Sequence, residues 1–218
     1  MTVEKKSHKG ISLWRVLSVK GTYPLPAPEA TTVFLLFPKT FFPSLLGGWT
    51  FDPGLCSQLP MTPAINAAQK ANISFTVREY AHDPACQSYG MEAAEKLEAD
   101  PARVFKTLIA DLGGELVVAV IPVEAMLVLK HLAKACGAKK ATMADKTLVQ
   151  RITGYVLGGV SPLGQKKRLR TFIDVSAQAH PTILVSAGRR GLEIELDPED
   201  LCRLINGRFA PLIECSGS

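Results

Sequence analysis

What the sequence lacks narrows its chemistry first. No apolar segment before the charged, periodic part is long enough for a bilayer: Val33-Phe-Leu-Leu-Phe37 stops at Pro38, against the roughly 20 residues a span requires. No membrane partner is expected. Ile11–Val19 is broken by Arg15 and followed by no small-residue cleavage site, so it is not read as a secretion signal. The five cysteines, Cys56, Cys86, Cys136, Cys202 and Cys215, are odd in number and far apart. That pattern predicts neither a zinc site nor a disulfide scaffold, and free thiols point to a reducing compartment, the cytoplasm. Cys136, at the end of an apolar helix pattern, reads as a core residue. His8, His82, His131 and His180 are dispersed, with no H-E-x-x-H and no serine elbow, so ordinary nucleophilic hydrolysis has no support. Neither G-x-x-x-x-G-K-S/T nor G-x-G-x-x-G occurs. No metal and no cofactor is expected.

What is present is a globular composition: 218 residues, 47% hydrophobic and 21% charged, which excludes disorder, collagen and coiled coil. Its distribution is uneven. Residues 1–60 hold 7 of the 15 prolines and both tryptophans, while the periodic patterns begin at Met61. A boundary is predicted there, with 1–60 a poorly ordered extension upstream of a true start and 61–218 one folded domain. The net charge of +5 says little about partners, because opposite charges cancel beyond a Debye length of about 8 Å. Clustering says more. Lys139 to Arg170 holds eight basic residues and one acid, Asp145. Such a stretch suits a phosphate-rich partner, and on charge alone it equally suits a solvated face.

From Met61 the chain reads as interleaved helices and strands. Thr62-Pro63 is an N-cap and first-turn proline. Helices are predicted to about Ala71, over Met91–Glu98 and Glu124–Ala135, from Asp145 to Ile152, and from Pro198 to Asn206. Strands are predicted over Ser74–Tyr80, Val104–Ile109, Leu116–Ile121, Ala141–Met143, Thr171–Val175, Thr182–Ser186 and Leu192–Leu196. Leu116–Ile121 is continuously apolar, as a strand covered on both faces would be. The result is one mixed α/β domain.

Two glycine loops punctuate it, Gly158–Gly164, leading into Gln165-Lys-Lys-Arg168, and Ser186–Gly191. Glycine in such loops commonly serves tight turns, and a loop flanked by basic residues also offers a seat for a nucleotide end. Lys106 stands in an otherwise apolar strand. Composition alone has its stem follow the strand while the ammonium reaches the rim.

Four stretches then carry a likeness: Tyr155-Val-Leu-Gly-Gly-Val-Ser-Pro-Leu-Gly-Gln-Lys-Lys-Arg168, Gly137-Ala-Lys-Lys140, Val104-Phe-Lys-Thr-Leu108 and Val185-Ser-Ala-Gly-Arg-Arg-Gly-Leu-Glu-Ile-Glu195. In order and spacing they strongly resemble the YbaK/EbsC family of bacterial aminoacyl-tRNA deacylases, and most closely its Cys-tRNA(Pro) deacylase branch. The resemblance runs from Met61-Thr-Pro-Ala64 to about Ile213. It implies a mixed, partly barrel-like β-sheet surrounded by helices. It places the family's lysine on Lys106, its tyrosine on Tyr80, its later serine on Ser186 and its acidic residue on Glu193, where aspartate is usual. Thr107, Gly158, Gly159, Ser161 and Pro162 fall on the substrate-binding positions, with Lys139, Lys140, Lys166, Lys167 and Arg168 toward tRNA. Ala187 stands where glycine is frequent.

The implied activity is trans-editing: removal of cysteine from Cys-tRNA(Pro), and from Cys-tRNA(Cys). In this branch the substrate's own thiol attacks its ester and leaves as a thiolactone, which suits a chain without a nucleophile signature. Placement then supplies much of the rate. Lys106 and the N–H groups of Gly158 and Gly159 would stabilise the oxyanion. The implied partners are the acceptor end of mischarged tRNA and, transiently, prolyl-tRNA synthetase, with no DNA. Two alternatives stand: a hydrolytic editor of another mischarged tRNA such as Ala-tRNA(Pro), or a catalytically silent tRNA-binding module.

Overall fold

The computed structural model describes residues 61–86 and 88–214; the extension expected over 1–60 lies outside them. Helix α1 (Pro63–Lys70) begins where the Thr62 hydroxyl oxygen accepts the Ile65 N–H at 3.2 Å. The same hydroxyl donates to the Ala187 carbonyl, tying the helix start to the second glycine loop. The chain continues through β1 (Phe75–Glu79), α2 (Tyr89–Lys96), β2 (Val104–Asp111), β3 (Leu116–Pro122) and α3 (Leu129–Cys136). Then come β4 (Thr142–Met143), α4 (Lys146–Thr153), β5 (Arg170–Asp174), β6 (Ile183–Arg189), β7 (Leu192–Leu196), α5 (Pro198–Ile205) and β8 (Arg208–Ala210). Asp145 and Asp197 cap α4 and α5 by accepting two backbone N–H groups each.

The strands form one mixed sheet in the order β1-β7-β6-β2-β3-β5-β8, with β4 on β2. Parallel pairs join β2 to β6, β3 to β5 and β5 to β8, and the other pairs are antiparallel. β3 alternates between two cores, and both are apolar, which is why its sequence shows no alternation. Val118 and Val120 join Ile65, Phe105, Val149, Ile194 and Leu201 on one side, while Val117, Ala119 and Ile121 join Leu132, Phe172 and Leu212 on the other. Ala93 and Ala94 of α2 cover Val104, Val123 and Leu184 in a third cluster.

Three expectations are corrected. The helix predicted over Glu124–Ala135 begins only at Leu129, because Pro122–Ala125 is a turn and the Val128 N–H donates to Leu212 O at 2.8 Å, outside any helix. Strand β8, three residues long, has no counterpart among the expected strands: its pairing to β5 is non-local and Arg208-Phe-Ala210 carries no periodicity. Helix α2 also starts earlier than expected, at Tyr89.

One irregularity of the sheet positions the site. β6 pairs with β2 only at Val104↔Leu184 and Phe105↔Val185, and β4 pairs only at Ala110↔Met143 and Asp111↔Thr142. Between them, Lys106–Ile109 of β2 has β3 on one side and an opening on the other.

Candidate active site

A cavity of about 550 Å³ fills that opening. Its floor is the open edge of β2. Its walls come from α2 (Tyr89 and its neighbours), from Met143, Ala144, Lys146 and Val149, from the first glycine loop (Leu157, Gly158, Val160), and from β6 and β7 (Ser186, Glu193). Antiparallel strands turn successive residues' N–H and C=O groups to alternate sides. Val104 O accepts from Val123 on the β3 side and Ile109 O accepts from Ala144 on the open side. Thr107 therefore turns its backbone groups to the cavity. Its side-chain Oγ1 is buried without a hydrogen-bond partner, a polar group left for a ligand to satisfy.

Register brings three of the residues singled out from sequence together. Phe105 faces Val185 in the parallel pair, so Lys106 follows beside Ser186, and Ser186 is directly opposite Glu193 on β7. All three line the cavity. Lys106 is half-buried, and its ammonium donates to Val123 O at 3.0 Å; loss of hydration lowers its pKa from the ordinary lysine value. Glu193 is buried, and the same loss of water pushes its pKa up to about 8, so near neutral pH it is largely the protonated acid. Ser186 Oγ accepts the Gly188 N–H at 3.4 Å. Tyr80 stands just beyond the cavity lining, its N–H on Gly191 O at 3.0 Å. Burial first, then the nearby Glu193 charge, raises its pKa to about 12, so its hydroxyl is a donor at any ordinary pH.

The first glycine loop divides. Gly158 reaches the cavity at φ +82°, and a Cβ there would come within 2.6 Å of the Tyr89 ring. Gly159 packs against the backbone of Arg189, and its N–H already donates to Val156 O at 3.0 Å. The expectation that this N–H serves an oxyanion is therefore corrected. Ser161 is fully buried and its hydroxyl oxygen accepts the Leu163 N–H at 3.2 Å, which holds the turn. Pro162 lines a separate concavity of about 180 Å³. Neither reaches the cavity. Tyr155 explains how the two glycine loops keep their spacing: its hydroxyl donates to Leu163 O at 2.8 Å while its ring lies against Gly188.

The basic residues grouped by sequence are dispersed in space. Lys139 and Lys140 are exposed on the segment entering β4. The Lys166 and Lys167 N–H groups donate to Thr153 O and Ile152 O at the C-terminal end of α4, whereas the cavity takes the opposite end, at Lys146 and Val149. Arg168 lines the second concavity with Pro162 and Leu204. Among the described residues the cations at or beside the cavity are Lys106, Lys146 and Arg190; sequence reasoning gave the first a role, counted the second only within the basic stretch, and gave the third none. It also passed over Tyr89 and the pair formed by His82 Nδ1 and the buried Glu92 carboxylate at 2.7 Å. Besides the basic stretch that holds Lys146, the one sequence signal was for the arginine, in the Arg189-Arg190-Gly191 hairpin tip, which lies inside one of the four family-like stretches without a role of its own there.

A model of the aminoacyl-tRNA editing domain matches residues 83–204. The chain belongs to that family. The editing domain is 46% identical over 121 residues to the "Putative Cys-tRNA(Pro)/Cys-tRNA(Cys) deacylase EbsC" of Enterococcus faecalis, covering 55% of this chain and 73% of that protein. It is 27% identical over 110 residues to the "Uncharacterized protein YwhH" of Bacillus subtilis, covering 50% of this chain and 70% of that one. Among solved structures it resembles a "putative trans-editing enzyme for prolyl tRNA synthetase", with a TM-score of 0.63 at 21% identity over 70% of this chain and 96% of the other. That likeness is one of fold. The chain thus carries an aminoacyl-tRNA editing domain with the mixed α/β architecture expected from the sequence. Among the described residues no helix is long and apolar enough to cross a membrane, and no group of three His, Cys, Asp or Glu is arranged to hold a metal.

Proposed function

We propose that this editing domain removes cysteine from Cys-tRNA(Pro) and Cys-tRNA(Cys), using the substrate's own thiol as nucleophile. One observation carries the reading: among the described residues lining the cavity there are two ammonium groups, Lys106 and Lys146, and one carboxyl, Glu193, and neither a histidine nor a cysteine. Ser186 is bonded by a backbone N–H and by no imidazole. No histidine among the described lining residues stands ready to activate water or Ser186, and a substrate carrying its own thiol needs no protein nucleophile. The similarity to the Enterococcus protein supports the same substrate class.

In this reading the thiol sulfur attacks the ester carbonyl carbon. The C–S bond forms as the C–O bond to ribose breaks, and the thiol proton ends on the ribose oxygen. The products are tRNA with a free hydroxyl and a cysteine thiolactone, with no water consumed. Lys106 and the Thr107 backbone N–H face the position where negative charge develops. Glu193, as a neutral acid, and Ser186 hold the amino acid's polar groups, and Tyr80 donates from the flank. The acceptor end enters past Gly158, and Lys139, Lys140, Lys166, Lys167 and Arg168 hold phosphates further out. Because phosphate contacts read no sequence, selection of proline tRNA falls to a transient complex with prolyl-tRNA synthetase.

The test is a panel of tRNAs carrying cysteine, S-methylcysteine, serine and alanine. Cysteine is expected to be cleared and S-methylcysteine to persist. Comparable loss of S-methylcysteine or alanine would establish a hydrolytic editor instead. Isolated protein should treat several Cys-tRNAs alike, with preference appearing on addition of the synthetase. The proposed domain boundary adds one expectation: a chain beginning at Met61 deacylates like the full chain, and lost activity in it would make residues 1–60 part of the enzyme.

A further inference from the structure

The rim of the cavity contains a stack that the deacylation chemistry leaves unused. The Arg190 guanidinium carbon lies 4.6 Å from the centroid of the Tyr89 ring. Its Nε donates to Leu157 O at 3.0 Å. Two contacts thus fix a residue that is itself solvent-exposed. Tyr89 is braced in turn: Gly158 leaves room for one part of its ring, and the His82 ring stands 5.6 Å away, centroid to centroid. His82 is held by the Glu92 carboxylate, whose other oxygen accepts the Asp83 N–H at 2.6 Å. Immobilising an exposed arginine costs side-chain entropy, and the surface pair it makes returns little in water. What the arrangement does provide is a planar cation held over the Tyr89 ring at the mouth, on a residue still open to solvent.

We infer that Arg190 is the seat of the substrate's terminal adenine, which stacks on the outer guanidinium face to give three layers, base, Arg190 and Tyr89. Unstacked RNA bases are commonly received on aromatic or guanidinium planes, and a 3′ end offers such a base one ribose away from the ester. The position fits. Leu157 and Tyr89, which hold Arg190, both line the cavity, and Arg190 lies three residues from Glu193 along the hairpin, at most about 10 Å of extended chain. The inference rests on the reading that an aminoacyl-tRNA 3′ end enters this cavity. It adds the residue that distinguishes a tRNA ester from a small ester.

An acceptor-stem hairpin with 2-aminopurine as its terminal base reads the stack directly. Binding to the intact protein should quench its fluorescence, and Arg190→Ala should abolish the quench. With Cys-tRNA, Arg190→Ala should raise KM about 5- to 150-fold, the range for one stacked base, with kcat changed far less. Selectivity for Cys-tRNA over cysteine methyl ester should fall by the same factor. Arg190→Lys should not rescue, because an ammonium keeps the charge and has no planar face. Rescue by lysine, a retained quench in Arg190→Ala, or an equal loss on the methyl ester would each overturn the inference. The hairpin carries no amino acid, so failure of the cysteine reading, seen as no turnover of Cys-tRNA, is separate from failure of the stack, seen as no quench in a protein that turns Cys-tRNA over.

Discussion

The floor and the rim of the cavity are built differently. The floor is sheet: Lys106, Ser186 and Glu193 sit on three neighbouring strands, and their relative positions follow from backbone register. The rim is loop and helix end: Tyr89, Gly158 and Arg190 meet through ring contacts and single hydrogen bonds. A register cannot slip by one residue without turning every side chain over, so the floor holds groups where charge develops. The rim can shift by local rearrangement, which suits a surface that must admit and release a tRNA end. Substitutions in the floor should therefore change the chemical step, and those in the rim should change access.

The largest effect tests the floor. Lys106→Ala removes the cation without disturbing the ladder. Loss of one preorganised oxyanion donor costs about 10²–10³ in rate, so single-turnover deacylation should slow by that factor while tRNA still binds. A near-normal single-turnover rate would return Lys106 to a lysine that merely reaches the rim.

At the boundary between the two regions, Gly158→Ala should come next. The residue has φ +82°, and the added Cβ would lie 2.6 Å from the Tyr89 ring. Left-handed backbone costs a non-glycine residue roughly 1–2 kcal/mol, and the ring must also move. We expect a lowered Tm and a loss in kcat/KM carried mostly by KM. A loss carried wholly by kcat would place Gly158 with the floor.

Glu193 separates the regions by pH. Its pKa rises from 4.5 to about 8 on folding, so between those values the native state holds a proton that the unfolded state has lost. Stability contributed here therefore falls as pH climbs from about 4.5 to 8, by about 1.4 kcal/mol for each pH step of one across that window, and is level above it. Glu193→Gln should lack that slope, gaining on the unsubstituted protein as pH rises through the window. Urea midpoints at pH 5 and pH 8 read it. A difference that is constant with pH would mean that the carboxyl is not buried as described.

The floor was also the part more legible in sequence. Lys106 is conspicuous because Val104, Phe105, Leu108 and Ile109 surround it, and the strand pattern alone placed it in the sheet. Strand register, which sets Ser186 beside Lys106 and opposite Glu193, is non-local and entered only through family likeness. The rim was scarcely legible. Tyr89 and Arg190 are about a hundred residues apart, and their contact depends on a turn at 189–191 packing against the start of α2, which no periodicity encodes. Gly159 and Ser161 show the converse. Their loop was found, but sequence could not tell a backbone group facing a ligand from one already bonded within the turn.

The smallest effect concerns the cations that lie on neither floor nor rim. Lys166 and Lys167 border the C-terminal end of α4, and Arg168 faces the second concavity, with Leu204 O accepting from its Nη2 at 3.4 Å. If the acceptor stem passes from the cavity along α4, these three meet its phosphates, and replacing all three by alanine should weaken tRNA binding evenly across sequences. Each phosphate contact contributes about 0.7–0.9 to the slope of log affinity against log salt, so the triple variant should flatten that slope by up to about two to three. Deacylation of a short acceptor hairpin ending at the cavity should fall much less, since it lacks the phosphates further out. An unchanged salt slope would leave Lys146 and Arg190, together with Lys139 and Lys140, as the cations that meet RNA, and would direct the stem away from α4, over the β4 side.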